Sequence, residues 1–139
     1  MANDEYRSGQ RSAFLGPVLN CLIARPFATE IMTDHLRIVL AQLNPLVGDI
    51  KGNIAKLRDA RAEAKRSGAD LLVSSELSIT GYPPEDLVLR KAFMAKVKEA
   101  VNELAIDTED GGPGLIVGAP WCDKDKLQNA ALLLDEGKI

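Results

Sequence analysis

The sequence predicts an α/β fold built on a mixed β-sheet. Three short runs rich in Ile, Val and Leu, at residues 36–42, 69–74 and 115–120, alternate with two segments of helical periodicity. Strands that alternate with helices are typical of parallel sheets, because each helix returns the chain to the start of the next strand. A fourth strand at 130–134 follows the third without a helix between them, and the predicted sheet is therefore mixed.

Length and composition indicate one globular domain and exclude several classes of partner. The chain has 139 residues, of which 46% are hydrophobic and 27% charged, and its net charge is −3. Nucleic acids and anionic membranes bind basic patches, so neither is an expected partner. No apolar run approaches the length of a membrane span. The single histidine and the distant pair Cys21 and Cys122 predict neither a metal site nor a disulfide framework.

Residues 1–31 differ in character from the rest of the chain. Their polar start has no pattern, and the apolar residues that follow are interrupted by glycine and proline. Asp4 and Glu5 offset the nearby arginines, which is not typical of a signal peptide. We therefore interpret residues 1–31 as a disordered leader or upstream extension, with a domain at 32–139 that starts at Met32. A targeting or docking arm is the alternative.

The first strand, at 36–42, leads through a turn into a helix that is expected to end near Ser67, before Gly68. Asp49 or Asn53 is suited to cap its start, since either side chain can accept a hydrogen bond from a free backbone N–H. Apolar residues at helical spacing predict one buried face: Ile50, Ile54, Leu57, Ala60 and Ala64. The charged residues predict a solvent-exposed face without function: Arg58, Asp59, Arg61, Glu63, Lys65 and Arg66.

The second strand, at 69–74, ends in the segment that carries the candidate site. Glu76 follows this strand, and the TGYPP sequence at 80–84 can neither continue a strand nor fill a helix interior, so a shaped loop is predicted. Functional sites of open α/β sheets lie at the carboxyl ends of strands. Glu76 is therefore the candidate catalytic residue, although its position equally allows a buried structural carboxylate.

A second helical segment is expected to start near Glu85 and Asp86, because acidic residues favour a helix N-terminus. It should break or bend before a longer piece that ends near Leu104. The buried face of that piece is predicted to be Phe93, Val97, Val101, Leu104 and Ala105.

The remaining segments are predicted to be turns. Residues 107–114 form an exposed connection and lack the Gly-Lys-Ser/Thr ending of a phosphate-binding loop. Residues 121–126 are a polar turn before the fourth strand, and residues 136–138 are a tight turn.

Three of these segments resemble one family. They are SSELSITGYPPEDLVLR at 74–90, LIVGAPW at 115–121 and QNAALLLDEGKI at 128–139. They are similar to the nitrilase, or carbon–nitrogen hydrolase, superfamily, and within it to the glutaminase domains of glutamine-dependent NAD+ synthetases. Two residues depart from the family pattern: Ser75 stands in place of a proline, and Gln128 stands in place of an aromatic residue.

The resemblance implies the N-terminal part of an α-β-β-α sandwich and a Glu-Lys-Cys triad. Glu76 matches the general base, and Tyr82 is a candidate for the substrate pocket, with packing inside the loop as its alternative. The family's lysine, which stabilises the oxyanion, and its cysteine, which attacks the side-chain amide of glutamine, would follow residue 139. Cys122 and the lysines of the turns do not match them. We expect this chain alone to be inactive.

The resemblance also implies the fate of the released ammonia. A separate synthetase domain would use ATP and Mg2+ to convert deamido-NAD+ into NAD+, whereas this chain would hold no cofactor. The intact enzyme would be a cytoplasmic homo-oligomer. Two other interpretations remain: a stand-alone nitrilase-type amidase, and a non-catalytic fragment or interaction module.

Overall fold

The sheet of this chain is mixed, as its sequence predicts. A computed structural model describes residues 35–124 and 126–139, so the expectations for residues 1–31 lie outside the described residues. The strands are β1 (Ile38–Ala41), β2 (Leu71–Ser74), β3 (Gly114–Asp123) and β4 (Lys126–Leu134), which are neighbours in this order. The pairs β1–β2 and β2–β3 are parallel, and β3–β4 is antiparallel.

Helices form both parallel connections. They are α1 (Ile50–Arg66) and α2 (Lys91–Asp107). The expected break before the longer helix is confirmed, since a separate 3-10 turn at Glu85–Leu89 precedes α2. Asp49 caps α1, and its side chain accepts a hydrogen bond from the backbone N–H of Gly52 at 3.0 Å. The alternative cap, Asn53, is wrong, because that side chain is buried and bonds elsewhere.

The core lies between the two helices and one face of the sheet. Its fully buried side chains include Leu57 of α1, Val97 of α2, and Leu72 and Leu115 of the central strands. The apolar faces predicted for both helices are therefore confirmed in the main, although Ala60 and Phe93 are only partly buried. Burial of these side chains stabilises the fold by roughly 1.5–3 kcal/mol for each large aliphatic residue.

The opposite face of the sheet carries apolar side chains that no helix of the described residues covers. Ile38 and Leu40 of β1 and Leu133 of β4 are exposed, with Leu40 reaching 77%. One helical layer and one sheet layer of the implied α-β-β-α sandwich are thus present. We call the uncovered side of the sheet the open face.

Two predicted turns are wrong in part. The segment 121–126 is mostly strand, because β3 and β4 remain paired to Asp123 and Lys126. Backbone hydrogen bonds hold this end of the hairpin without an apolar pattern, so the sequence there gives no strand signal. Thr108, in the predicted exposed connection, is buried, and its hydroxyl accepts a hydrogen bond from Gly137 N at 3.0 Å. The tight turn at 136–138 is confirmed.

Arg61 lies on the buried side of α1, whereas the charge pattern predicts a surface residue. Its side chain is only 9% exposed. The guanidinium donates to the carbonyls of Pro113 (2.8 Å) and Asp107 (3.0 Å) and to the carboxylate of Asp110 (2.6 Å). Arg61 and Lys65 hold the pKa of Asp110 well below its ordinary value. Arg61 therefore joins α1 to the connection that precedes β3.

Arg61→Met is expected to lower the free energy of unfolding by about 2 kcal/mol, because two carbonyls lose their buried donor. Urea unfolding of the chain measures this change. Arg58→Met is the matched control on the same helix; its side chain is 44% exposed and pairs with Glu103 and Asp107, so a loss below about 0.5 kcal/mol is expected. Equal losses in the two variants would contradict the assignment of Arg61.

The ion pairs of Asp110 with Arg61 and Lys65 should contribute less to stability in acid. The pKa of Asp110 is lower in the folded protein than its ordinary 3.8, so its contribution to stability is complete above that value. The contribution is lost as the pH falls toward the folded-state pKa. The difference in stability between wild type and Arg61→Met, measured by urea unfolding at each pH, should therefore shrink in strong acid. The part that comes from the carbonyls of Pro113 and Asp107 should remain.

Candidate active site

The loop that follows β2 turns across β3 and stays in contact with the sheet. The hydroxyl of Ser74, the last residue of β2, bonds to Ile116 O at 3.1 Å and to the hydroxyl of Ser78 at 2.8 Å. The backbone N–H of Ile79 donates to Gly118 O at 3.4 Å. The segment from 75 to 79 therefore lies against the middle of β3, and the predicted shaped loop is confirmed.

Gly118 permits this contact because it has no side chain. A Cβ at residue 118 would lie 2.5 Å from Leu77 N, 2.7 Å from Ser75 O and 2.8 Å from Glu76 Cα. These distances are shorter than van der Waals contact, and the neighbouring atoms belong to the backbone, which cannot rotate away. Leu77 itself has a φ of 50°, in the left-handed region. The backbone of Glu76 is thus pressed directly onto β3.

The side chain of Glu76 extends from this point to β4. Glu76 is exposed, so it is not the buried structural carboxylate considered above. Asn129 Nδ2 donates to Glu76 Oε1 at 2.5 Å. Within residues 35–124 and 126–139 this is the carboxylate's only hydrogen bond, and Oε2 is left available. The arrangement offers a carboxylate that is oriented at one oxygen and accessible at the other.

A buried asparagine ties the Glu76 loop to the loop that follows β1. Asn53 is 2% exposed, and its Nδ2 donates to Leu46 O at 2.8 Å and to Ile79 O at 3.0 Å. Its Oδ1 accepts from Leu46 N at 2.8 Å, and Gly48 N donates to Thr80 O at 2.8 Å. The loops at the carboxyl ends of β1 and β2 are therefore held together.

The other candidate residues do not join Glu76. Tyr82 is 68% exposed, and its hydroxyl has no hydrogen-bond partner among the described residues. The prediction that it packs inside the loop is therefore wrong. Its role in a substrate pocket stays a prediction. Glu85 and Asp86 occupy the first turn of the 3-10 helix, where Arg90 lowers the pKa of Asp86 by a hydrogen bond. Cys122 is exposed in β3, opposite Leu127, instead of in a turn.

A groove between the two helices lies away from Glu76, and no metal-binding cluster is found in the described part of the chain. A groove of about 800 Å³ lies between α1 and α2, and both basic and acidic side chains line it, such as Lys51 and Glu99; Glu76 is not among its lining residues. In the two described ranges, no group of three or more His, Cys, Asp or Glu side chains is placed to hold a metal. The helices described are also too short or too polar to cross a membrane.

Asn129 is a site residue that sequence reasoning missed. The apolar run indicates a strand that starts at Ala130, which leaves Asn129 just outside the predicted strand. The structure starts β4 at Lys126, so Asn129 lies inside the strand opposite Pro120. Residues 126–129 are all exposed and show no alternation of polar and apolar residues that could have extended the predicted strand.

Comparison with known proteins identifies relatives of this chain. The carbon–nitrogen hydrolase family matches residues 37–139. The glutamine-dependent NAD+ synthetase of Rhodobacter capsulatus is 41% identical over 108 residues, a match that covers 78% of this chain and 19% of that protein. The chain thus spans about a fifth of the length of the curated relatives it matches.

Solved structures share the fold. A glutamine-dependent NAD+ synthetase from Acinetobacter baumannii in complex with ADP is 30% identical with a TM-score of 0.69, covering 75% of this chain and 19% of that one. An amidase from Nesterenkonia sp. is 30% identical with a TM-score of 0.66, covering 75% of this chain and 40% of that one. One variant of that amidase carries an acetamide moiety covalently added at its active-site cysteine.

Proposed function

The chain belongs to the carbon–nitrogen hydrolase family, and on that basis we propose that it is the N-terminal part of a glutamine amidohydrolase domain in a glutamine-dependent NAD+ synthetase. The resemblance drawn from its motifs is confirmed at the level of the family and of its relatives. The observation that carries the proposed chemistry is the Glu76 carboxylate, which lies beyond the carboxyl end of β2 with one oxygen oriented by Asn129.

In the proposed reaction Glu76 is the general base for a cysteine that the rest of the domain supplies. Glu76 Oε2 accepts the thiol proton, the sulfur bonds to the side-chain amide carbon of glutamine, and the carbon–nitrogen bond breaks. The leaving nitrogen takes the proton from Glu76 and departs as ammonia. Water then attacks the thioester, Glu76 accepts its proton and returns it to the sulfur, and glutamate is released.

A lysine from the same remaining part of the domain is proposed to stabilise the oxyanion of the tetrahedral intermediate. A hydrogen-bond donor to the oxyanion lowers the activation free energy by on the order of 3 kcal/mol. The ammonia is proposed to reach a separate synthetase domain, where ATP and Mg2+ support the amidation of deamido-NAD+. Those ligands are not assigned to residues of this chain.

The second candidate is a stand-alone amidase. The amidase from Nesterenkonia sp. favours it, because this chain covers 40% of that protein at the same 30% identity as the synthetase structures. Higher sequence identity favours the synthetase, since the Rhodobacter capsulatus enzyme reaches 41% over 108 residues. The YPPEDL sequence at 82–87, which resembles the synthetase branch, supports the same choice.

A segment exchange tests the proposal. Residues 35–139 replace the matched segment of the Rhodobacter capsulatus enzyme, and NAD+ synthesis is measured with glutamine and with ammonium. We expect the chimera to keep at least about a tenth of the parental glutamine-driven rate. This corresponds to an increase in the activation free energy of no more than about 1.4 kcal/mol. The ammonium-driven rate controls for folding of the remainder.

Two outcomes would contradict the proposal. One is a chimera that uses ammonium at the parental rate and does not use glutamine. The other concerns the isolated 139-residue chain, which we expect to release no ammonia from glutamine because it lacks a matching nucleophile. Release that Cys122→Ser abolishes would instead assign the nucleophile to Cys122.

A further inference from the structure

The β3–β4 hairpin places a polar side chain of β4 beside the candidate base. Residues of β4 alternate between the helical side and the open face, and Asn129, Ala131 and Leu133 share the open face. Ala131 lies opposite Gly118, and Asn129 lies two residue pairs further along, opposite Pro120. The register of the hairpin therefore fixes the distance between Asn129 and Gly118.

Glu76 is anchored to the same hairpin by its backbone. The absent side chain of Gly118 lets the backbone of residues 75–77 rest on β3, with the closest atoms within 2.8 Å of where a Cβ would be. Glu76 thus meets β3 through its main chain and β4 through its carboxylate. Two anchor points on one paired hairpin define the direction of the side chain far better than a rotamer preference alone.

The chemistry of the Asn129 amide suits a residue that must gain and lose a proton. An amide N–H donates to a carboxyl oxygen whether the group is ionised or protonated on its other oxygen. A lysine or arginine in the same place would add a full positive charge, which favours the ionised carboxylate and weakens it as a base. Asn129 occupies Oε1 and so reserves Oε2 for the transferred proton.

We propose that Asn129 is a positioning residue that orients Glu76 and directs the proton to Oε2. This inference rests on the proposed function, because it assumes that Glu76 is the general base. It assigns no contact between Asn129 and glutamine. The residue acts on the rate of the chemical step through Glu76, and substrate affinity should not depend on it.

The first experiment tests the contact on the full 139-residue chain by nuclear magnetic resonance. One side-chain N–H of Asn129 should resonate away from its random-coil position, and Glu76→Ala should return it there. The side-chain amide of Asn102, which is exposed on α2, is the control and should not move. An Asn129 amide that is insensitive to Glu76→Ala overturns the proposal.

The second experiment measures the role in the chimera described above. With glutamine, Asn129→Ala should lower kcat by about 10-fold with an unchanged KM, since a misplaced base loses rate without losing substrate binding. Asn129→Asp keeps the shape and places a like charge beside Glu76, so its kcat should fall further than that of Asn129→Ala. Ammonium-driven synthesis should be unchanged in both variants. Gln128→Ala, the neighbouring exposed residue, should keep the wild-type kcat.

The outcomes separate this inference from the proposed function. If Glu76→Gln abolishes the glutamine-driven rate while both Asn129 variants keep the wild-type kcat, the positioning role is wrong and the proposed function stands. If Glu76→Gln has no effect, the proposed function itself fails. A merely structural Asn129 would tolerate aspartate better than alanine and would lower both rates together, which also overturns the proposal.

Discussion

Glu76→Gln is expected to lower glutamine-driven NAD+ synthesis in the chimera by about 10²-fold or more, the usual contribution of a general base. The substitution keeps the size of the side chain and its acceptor for Asn129, but the amide cannot take a proton from a thiol. Ammonium-driven synthesis should remain, because the proposed mechanism places that step in another domain. The measurement is therefore a pair of rates for each variant.

Glu85→Gln is the matched control for this substitution. Glu85 is an exposed acid nine positions further along the same connection, and it lies in the first turn of the 3-10 helix. Neither rate should change in this variant. Equal losses of both rates in Glu76→Gln, or no loss with glutamine, would show that Glu76 is not the base.

Gly118→Val is expected to lower the free energy of unfolding of the chain by about 3 kcal/mol, the upper part of the range for overpacked sites. A side chain at this position overlaps Leu77 N and Ser75 O, so β3 and the Glu76 loop cannot keep their contact. Urea unfolding followed by the fluorescence of the partly buried Trp121 measures the loss. The same variant in the chimera should lose glutamine-driven synthesis, because the displaced loop carries Glu76.

Gly114→Ala is the control for Gly118→Val. It shows whether replacing any glycine of β3 destabilises the chain, or only the glycine that contacts the Glu76 loop. The Cβ added at residue 114 would lie 3.3 Å from the end of the Leu71 side chain, which can move, and 3.4 Å from the Asp135 carboxylate. We expect a change below about 1 kcal/mol, typical of substitutions without a clash. A Gly118→Val protein as stable as Gly114→Ala would refute the close approach of the Glu76 loop.

The fold was predictable because its elements have local sequence signals. Apolar spacing such as Ile50, Ile54 and Leu57 requires only near neighbours, and it identified the buried faces of the helices. The burial of Arg61 could not be predicted in this way, because its partners lie about 50 positions away in a connection without hydrophobic periodicity. The hairpin end at Trp121–Asp123 could not be predicted either, because backbone pairing alone maintains the strand.

The candidate site divides in the same way. Glu76 could be proposed from its place after an apolar strand and from the resemblance of its loop. Its partners could not, because Gly118 and Asn129 lie 42 and 53 positions further along and meet Glu76 only through the register of β3 and β4. Nothing in the local sequence LIVGAP shows why residue 118 must be glycine. The need for glycine is explained only by the backbone of the Glu76 loop, which lies against this position.

The buried amide of Asn53 has a consequence for how the molecule fluctuates. It bonds Leu46 on one loop and Ile79 on the other, and burial makes an unsatisfied amide costly. Neither loop can open alone without leaving part of that amide unpaired. The two segments should therefore behave as one cooperative unit in local unfolding, with a shared opening free energy. Glu76 lies in that unit, so the lifetime of its geometry is set partly by a residue that does not contact it.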